Sequence, residues 1–240
     1  MFKIFYNSSH IVIKILGITI KFKSYLSYFY NQVYRIDKSG KRKRLYMPAE
    51  NVNINFKGKN AVIEIPESKY LKNLKIIAGE NSKICIKNPH FWGIHNLFIE
   101  IQNNCEVFID ENFNCASGEI ICFGYKNSIK IGRDCMFAKN FIIRTDDGHV
   151  IYDNTTMEII NKPKDVSIGD HVWFCQDVSI LKGVTLNNNT VVAKSSVVSK
   201  SIESPNVIVG GCPAKIIKNN INWDRKNYYD YCKFDGENNA

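Results

Sequence analysis

The stretch that decides the fold is Ile168 to Ile202, which reads IGDHVWFCQDVSILKGVTLNNNTVVAKSSVVSKSI. An apolar residue recurs at every sixth position, and the residue four places after each of them is β-branched or small. The first series is Ile168, Phe174, Ile180, Leu186, Val192 and Val198, and the second is Val172, Val178, Val184, Thr190, Ser196 and Ile202. An α-helix would need apolar residues every three or four positions and a single strand every second position, so this period excludes both.

A period of six predicts a chain that folds into flat sides of about six residues, with about three sides to a coil. Each coil stacks on the one before it at the strand spacing of about 4.7–4.9 Å. Turn-forming residues stand between the sides, as in Gly169-Asp170 and Lys182-Gly183. The sequence therefore predicts a mostly β protein, a left-handed parallel β-helix built of hexapeptide repeats.

The same period continues toward the N-terminus. One phase comprises Ile101, Val107, Phe113, Tyr125, Ile131, Phe137 and Ile143, and the matching fifth positions are Cys105, Ile129, Cys135 and Phe141. Glu119 is the exception in the first series, and looser coils are expected from about Ile76. The pattern stops between Arg144 and Asp165, and a loop of that length in a compact domain usually carries function or is disordered.

The ends of the chain lack this period and predict three regions. Residues 1–70 form an N-terminal extension, with a hairpin around Gly17, a short helix within 24–34 and entry strands within 52–65. Residues 71–217 form the β-helix, interrupted by the loop 144–165. Residues 218–240 form a C-terminal arm that packs outside the prism through aromatic residues such as Trp223.

Composition narrows the function classes. The net charge of +9 suits an anionic ligand, but no nucleic-acid motif accompanies the basic run 41–44, which we expect to be a solvated loop. The eight cysteines contain no C-x-x-C pair and several occupy buried repeat positions, so we expect reduced core thiols. No apolar run is long enough to span a bilayer and no signal peptide is recognised, which favours the cytoplasm.

Two side chains near the interruption are candidates for chemistry. His149 lies at the root of the long loop, where a histidine can act as general base near neutral pH, and Asp147 stands two residues before it. Trp173 follows the loop at a position where a coil has no need of a bulky indole. The alternatives are a solvated loop histidine and a tryptophan that packs against the loop or a neighbouring subunit.

The third candidate feature is Gly210-Gly211-Cys212-Pro213-Ala214-Lys215. Glycine and alanine let a thin ligand approach the backbone, and lysine offers a point charge for a phosphate group. The alternative interpretation is a simple turn by which the chain leaves the last coil.

Together these motifs resemble the hexapeptide-repeat acetyltransferases. The match comprises the loop with Asp-x-His, then Ile-Gly-x-His-Val-Trp from Ile168, Ile-Leu-Lys-Gly-Val from Ile180, and Gly-x-Pro-Ala-Lys from Gly211. The resemblance is closest to the bacterial capsule sialic acid O-acetyltransferases and covers about residues 129–229. It includes Ile131-Gly132-Arg133-Asp134-Cys135-Met136 and Ile221-Asn222-Trp223-Asp224-Arg225-Lys226.

The resemblance implies a set of roles. His149 would be the catalytic base, held by Asp147 or a backbone carbonyl, and Trp173 would lie near the reacting thioester. Acetyl-CoA would be the co-substrate, with no metal. Its groove would be lined by Ala193, Lys194, Gly211 and Ala214, with Lys215 near the phosphates.

The chain also departs from the family pattern. Val150 follows the histidine where proline is usual, and Cys212 replaces asparagine or serine. Cys175 and the turn Ala193-Lys194-Ser195 stand where glycine is more common, which bears on the shape of the coenzyme groove.

The partners implied are an acidic glycan, with sialic acid as the preferred acceptor, and two further copies of the chain in a homotrimer. Proximity to a membrane without a span fits such an acceptor. A neutral sugar of the galactoside or maltose type is the alternative acceptor. Two other classes compete: a γ-carbonic anhydrase, which would need three histidine ligands, and a non-catalytic β-helix binding protein.

Overall fold

The structure is a computed structural model and describes residues 2–6, 10–15, 18–23 and 27–229, with side chains from residue 27 onward except that of Phe29. Three strands come first: β1 (Phe2–Tyr6), β2 (His10–Ile15) and β3 (Ile18–Lys23). They pair antiparallel in the order β1-β2-β3. A single helical turn, α1 (Ser27–Tyr30), leads into the coils, and a 3₁₀ turn follows at Ser68–Tyr70.

The coils are built of short strands. Before the long loop these are β4 (Gln32–Ile36), β5 (Arg42–Leu45), β6 (Val52–Phe56), β7 (Val62–Ile65), β8 (Leu71–Lys72), β9 (Leu74–Ala78), β10 (Lys83–Ile86), β11 (Ile94–His95), β12 (Leu97–Ile101), β13 (Glu106–Ile109), β14 (Asn114–Cys115), β15 (Gly118–Cys122), β16 (Ser128–Ile131), β17 (Met136–Phe137) and β18 (Phe141–Arg144). After it come β19 (Val166–Ile168), β20 (Trp173–Phe174), β21 (Ser179–Ile180), β22 (Thr185–Leu186), β23 (Thr190–Val192), β24 (Val197–Val198), β25 (Val207–Gly211) and β26 (Ala214–Asn219).

Three sheets form the sides of a prism. Sheet 1 has the order β22-β19-β16-β13-β10-β7-β4-β5, sheet 2 the order β26-β25-β23-β20-β17-β14-β11-β8, and sheet 3 the order β24-β21-β18-β15-β12-β9-β6. The chain visits sheets 1, 2 and 3 in turn, and neighbouring strands are parallel except at the two hairpins β4-β5 and β25-β26. The predicted parallel β-helix is confirmed, and its handedness stays a prediction.

The hexapeptide series forms the core of the prism. All twelve residues of the two series from Ile168 to Ile202 are buried, as are the predicted fifth positions Cys105, Ile129, Cys135 and Phe141. Upstream the prediction is wrong at Tyr125, whose side chain is 73% exposed. Glu119, the exception in the first series, is also exposed. Strand register gives the reason: the pair Ile84–Val107 spans a longer coil than the pair Ile168–Leu186, so a strict period of six cannot hold before the loop.

The basic run at 41–44 is solvent-exposed at Lys41, Arg42 and Lys43, as predicted, but it is mostly a strand and not a loop, because β5 pairs with β4. The Arg44 guanidinium donates to the carbonyl of Asn31 at 2.8 Å. All seven described cysteines are free, as predicted, and four of them are buried, while Cys232 lies outside the described residues. Among the described residues no helix has the length and apolar character of a membrane span.

Candidate active site

Trp173 opens β20 and its side chain points away from the core. Register places it beside Met136 of β17 and Val191 of β23. The next residue, Phe174, is fully buried and stacks on Phe137 with ring centroids 3.8 Å apart. Because successive side chains of a strand point to opposite faces, this buried stack fixes Trp173 on the outer surface of sheet 2.

The C-terminal arm packs against this tryptophan. The ring of Trp223 lies 5.8 Å from that of Trp173 and stacks on the His171 imidazole at 4.1 Å. The Trp223 indole donates to the His171 carbonyl at 2.9 Å, and Nε2 of His171 lies 3.1 Å from the Trp223 carbonyl oxygen. The arm therefore holds the backbone two residues before Trp173.

An ion-paired network anchors the arm to an earlier coil. Nδ1 of His171 lies 2.6 Å from one oxygen of Asp134, and Nε of Arg225 donates to the other oxygen at 3.0 Å. Arg225 also donates to the Asn114 side chain. Both His171 nitrogens face oxygen acceptors, so both contacts are hydrogen bonds only when the ring is the doubly protonated imidazolium.

Asp134 is the centre of this network. Its burial raises the pKa, but the hydrogen bond from His171 and the charge of Arg225 outweigh burial and hold the pKa of Asp134 below its usual 3.8. The carboxylate therefore stays charged at neutral pH and holds the Arg225 guanidinium and the His171 ring in place. The sequence analysis matched the segments around Asp134 and Arg225 to the family, but it did not predict that the two side chains are in contact.

His149 lies on the loop between β18 and β19. The loop root is fixed by buried Thr145, whose hydroxyl donates to the Phe123 carbonyl at 2.7 Å. A β-bridge between Tyr152 and Ile159 closes the loop on itself. His149 is exposed.

The carboxylate of Asp147 is held by residues other than the His149 ring. It accepts hydrogen bonds from Lys182 and from the Asn161 side chain, the second at 3.0 Å. The hydrogen bond from Lys182 is the main reason that the pKa of Asp147 lies below its usual value. Asn161 also donates to the His149 carbonyl at 2.7 Å and accepts from the Ile151 amide at 2.7 Å, so Asp147 shapes the loop backbone around His149.

Lys182 and Asn161 were missed as site residues by sequence reasoning. Lys182 belongs to the Ile-Leu-Lys-Gly-Val motif, and this motif could have identified it as a site residue. No sequence motif contains Asn161 or marks it as a site residue.

A ladder of small residues runs along sheet 2 beside Trp173. Register aligns Ala138, Cys175, Ala193 and Gly210, each one place after a buried residue of the sheet. A Cβ added to Gly210 would lie 3.2 Å from that of Ala193, which is tight contact, and Gly211 has a φ of +104°. Lys194 and Lys215 are exposed at the same end of the ladder, and Ala214 pairs with Gly211.

A groove of about 270 Å³ extends from Trp173 in the opposite direction, toward earlier coils. Its walls include Trp92, His95, Ala116, Met136, Ala138 and Trp173. A second groove of about 400 Å³ lies where sheet 2 meets sheet 3 and is lined by Glu119 and Asn140. Neither groove includes His149.

The candidate residues thus divide into two groups. Trp173, Ala193, Lys194, Gly211, Ala214 and Lys215 share sheet 2 or its edge. The loop with Asp147 and His149 leaves the prism between sheets 3 and 1, which is the corner opposite sheet 2. Within the described residues no group of three or more His, Cys, Asp or Glu side chains is placed to hold a metal ion.

No protein-family model matches the chain. The polysialic acid O-acetyltransferase of Neisseria meningitidis is 40% identical over 169 residues, which is 65% of this chain and 78% of the relative. The polysialic acid O-acetyltransferase of Escherichia coli O1:K1 is 40% identical over 100 residues, 42% of this chain and 32% of the relative.

Solved structures agree with these relatives. The crystal structure of the polysialic acid O-acetyltransferase OatWY is 33% identical, with a TM-score of 0.57, and covers 80% of this chain and 96% of its own. That of the polySia-specific acetyltransferase NeuO is 26% identical, with a TM-score of 0.58, and covers 80% of this chain and 93% of its own. The chain therefore belongs to the hexapeptide-repeat acetyltransferases, in the group that contains the polysialic acid O-acetyltransferases.

Proposed function

We propose that the protein transfers an acetyl group from acetyl-CoA to a hydroxyl group of a bacterial sialic acid glycan. The observation that carries the proposal is the 40% identity to a polysialic acid O-acetyltransferase over 78% of that enzyme. Acetyl-CoA supplies the acetyl group as an activated thioester. The residues of this chain bind the two substrates, orient them and move one proton.

The small-residue ladder suits the thin pantetheine arm of acetyl-CoA. A Cβ at Gly210 would crowd Ala193, so glycine there keeps the surface low enough for a ligand to lie against the backbone. Lys194 and Lys215 stand at the far end from Trp173, where a phosphate group would need positive charge. Cys175 is larger than glycine but is still a small side chain, so it leaves room for the ligand. Burial raises the pKa of its thiol, so the thiol stays neutral.

His149 is the general base of the proposed reaction. It would accept the proton of the acceptor hydroxyl as that oxygen attacks the thioester carbonyl, and would return the proton to the coenzyme A thiolate as the C–S bond breaks. General base action is typically worth about 10²–10⁴ in rate. Asp147 acts indirectly, because its contacts with Lys182 and Asn161 set the loop backbone that carries His149. The outward indole N–H of Trp173 would donate to the negative charge that develops on the carbonyl oxygen.

The proposed site is shared between chains. The loop and Trp173 lie on opposite sides of one prism, and the loop exposes the apolar residues Val150, Ile151, Met157 and Ile160. Exposed apolar clusters of this kind mark surfaces that a partner covers. In a homotrimer the loop of one copy would reach sheet 2 of the next, and light scattering that reports a stable, active monomer would contradict this.

The acceptor is tested by comparing sugars at saturating acetyl-CoA, with release of free thiol as the readout. We expect sialylated oligosaccharides to be acetylated much faster than galactose, maltose or glucosamine. Equal rates on the neutral sugars would contradict the acceptor and leave acetyl transfer intact. No thiol release with any acceptor would contradict acetyl transfer itself.

Acetyl-CoA is a cytoplasmic metabolite, so we expect the protein to act in the cytoplasm, close to the membrane where surface glycans are made. The net charge of +9 would favour encounter with an anionic chain.

A further inference from the structure

The groove between Trp92 and Trp173 is lined by aromatic and polar side chains, and most of them have no role in the proposed acetyl transfer. Trp92 is 44% exposed, a large exposure for an indole, and it belongs to an aromatic cluster with His90 and Phe91. The cluster is ordered by contact: the His90 ring lies 4.2 Å from Phe91, and its Nδ1 accepts from the Trp92 amide at 3.3 Å.

The groove follows the direction in which the coils stack. Strand register aligns Lys72 of β8 with His95 of β11, and His95 in turn with Ala116 and Ala138, two places along the strands from the row of Trp173, Met136 and Asn114. At the usual strand spacing, the β11 strand of His95 lies about 14 Å from β20 along the direction of stacking, and the β8 strand of Lys72 about 19 Å. This distance is long enough for more than one sugar ring.

The charge of the groove suits an anion. None of the residues that line it is acidic, and the Asp134 carboxylate nearby is ion-paired with Arg225. Lys72 is exposed and forms no ion pair within the described residues. Burial, and then the charge of Lys72, lower the pKa of His95, so at neutral pH its ring is an uncharged donor and acceptor for hydroxyl groups.

We propose that this groove is an acceptor subsite, in which Trp92 and His95 bind a sugar unit next to the one being acetylated and Lys72 contacts the carboxylate of a further unit. The proposal rests on the proposed function and deepens it, because it makes the acceptor a chain of acidic sugars. An aromatic face with a few convergent polar groups is the usual form of a site for a small polar ligand.

The other surfaces fit this occupant less well. The coenzyme is expected on the far side of Trp173, because the exposed cations Lys194, Lys215 and Lys218 lie on the coils that follow it. The groove between sheets 2 and 3 exposes Glu119, which would repel an acidic chain. A groove lined by Lys83, Lys126 and Lys130 lies on sheet 1, away from Trp173.

The test compares a long polysialic acid with a sialic acid disaccharide as acceptors. We expect Trp92→Ala to lower the ratio of kcat/KM for the long acceptor to that for the short one about fivefold, the size expected for loss of an aromatic contact. Lys72→Ala should lower the same ratio, and less so at high salt, because screening already weakens its contact with a carboxylate. His95→Ala should also lower the ratio.

Matched variants remove the same groups from other faces. Tyr125→Ala deletes an aromatic ring that is 73% exposed, and Lys130→Ala deletes an exposed lysine of sheet 1. Both should leave the ratio unchanged. An equal fall in Lys130→Ala would show that only net charge matters and would overturn the role of Lys72.

Three results would overturn the subsite. The first is an unchanged ratio in Trp92→Ala. The second is a raised KM for acetyl-CoA in that variant, which would place the coenzyme in the groove. The third is a changed oligomeric state by light scattering, which would make the groove a contact with a second copy.

A wild-type protein that acetylates neither acceptor would refute the proposed function and leave the subsite to a binding measurement. Calorimetry with the long polysialic acid would then decide, with weaker binding to Trp92→Ala supporting the subsite. Equal binding would overturn it.

Discussion

The loop that carries His149 and the arm that carries Trp223 are two appendages of the prism, and they are built in opposite ways. The arm is tied to the coils by side-chain contacts: Trp223 on His171, and Arg225 on Asp134 and Asn114. The loop is fixed at its root by Thr145 and Lys182, while its apolar residues face outward. The ring of Trp223 is covered by its own prism, whereas the loop leaves its apolar residues uncovered.

This difference separates two tasks. The arm packs against a residue of its own prism, because the Trp223 ring lies beside Trp173 and its indole donates to the backbone two residues before it. The loop presents a histidine at the corner opposite that tryptophan. We therefore expect changes in the loop to affect the reaction without the fold, and changes in the arm to affect both.

The largest effect is expected from His149→Ala. Turnover should fall by about a hundredfold or more, because the variant lacks the proposed general base. Thermal unfolding and the KM for acetyl-CoA should stay as in the wild type, since the His149 side chain is exposed. A variant with near-wild-type turnover would remove His149 from the mechanism.

The second-largest effect is expected from Arg225→Ala. Its guanidinium is mostly buried and binds Asp134, Asn114 and the backbone, so we expect the free energy of unfolding to fall by about 2–3 kcal/mol. Turnover should fall about tenfold as Trp173 loses its support. Urea unfolding and thiol release measure the two effects.

Arg225→Lys serves as the conservative control for that change. It keeps the charge and loses the forked geometry, so it should lie between wild type and alanine in both measurements. Wild-type turnover in Arg225→Ala would show that the arm does not position Trp173.

Lys215→Ala tests the hairpin from which the arm starts. We expect the KM for acetyl-CoA to rise about fivefold with little change in turnover, because a charge on a remote phosphate contributes uniform binding. The exposed Lys200, also on a late coil, supplies the control Lys200→Ala, for which no change is expected. Unchanged affinity with collapsed turnover would place Lys215 in the chemistry.

The smallest effect is a pH dependence of the arm. The pKa of Asp134 is lower in the folded protein than its usual 3.8, so its stabilising contribution is present above that value and is lost as pH falls through the folded pKa. Tryptophan fluorescence should therefore report a docked arm from neutral down to mildly acidic pH, and release only in strong acid. Asp134→Asn should lack this acid transition, and an identical transition in the variant would assign it to other groups.

The regular part of the fold could be predicted because its period is local. From Ile168 to Ile202 every sixth residue faces inward, and the coils keep one length, as in the pairs Ile168–Leu186 and Ile180–Val198. Before the loop the coils are longer and differ among themselves, as the pairs Ile94–Cys115 and Ile84–Val107 show. The fixed phase then fails, and Tyr125 turns outward.

The contacts of the candidate site could not be predicted in the same way. Asp147 meets Lys182, and Asp134 meets Arg225 from a distant part of the chain, because coils bring remote segments together at the corners. The motifs identified the candidate residues and the family, but nothing local in the sequence states which carboxylate pairs with which cation. The pairing of Asp147 with Lys182, in place of the His149 ring, is a property of the folded coils.

The exit of the loop at the corner opposite sheet 2 has a genetic consequence. If each reaction centre takes its histidine from one chain and its tryptophan from another, defects at the two positions are complementary. A His149→Ala chain still supplies an intact Trp173 surface, and a Trp173→Ala chain still supplies an intact loop. Two inactive proteins, co-expressed or dissociated and reassembled together, would then regain part of the activity in mixed oligomers.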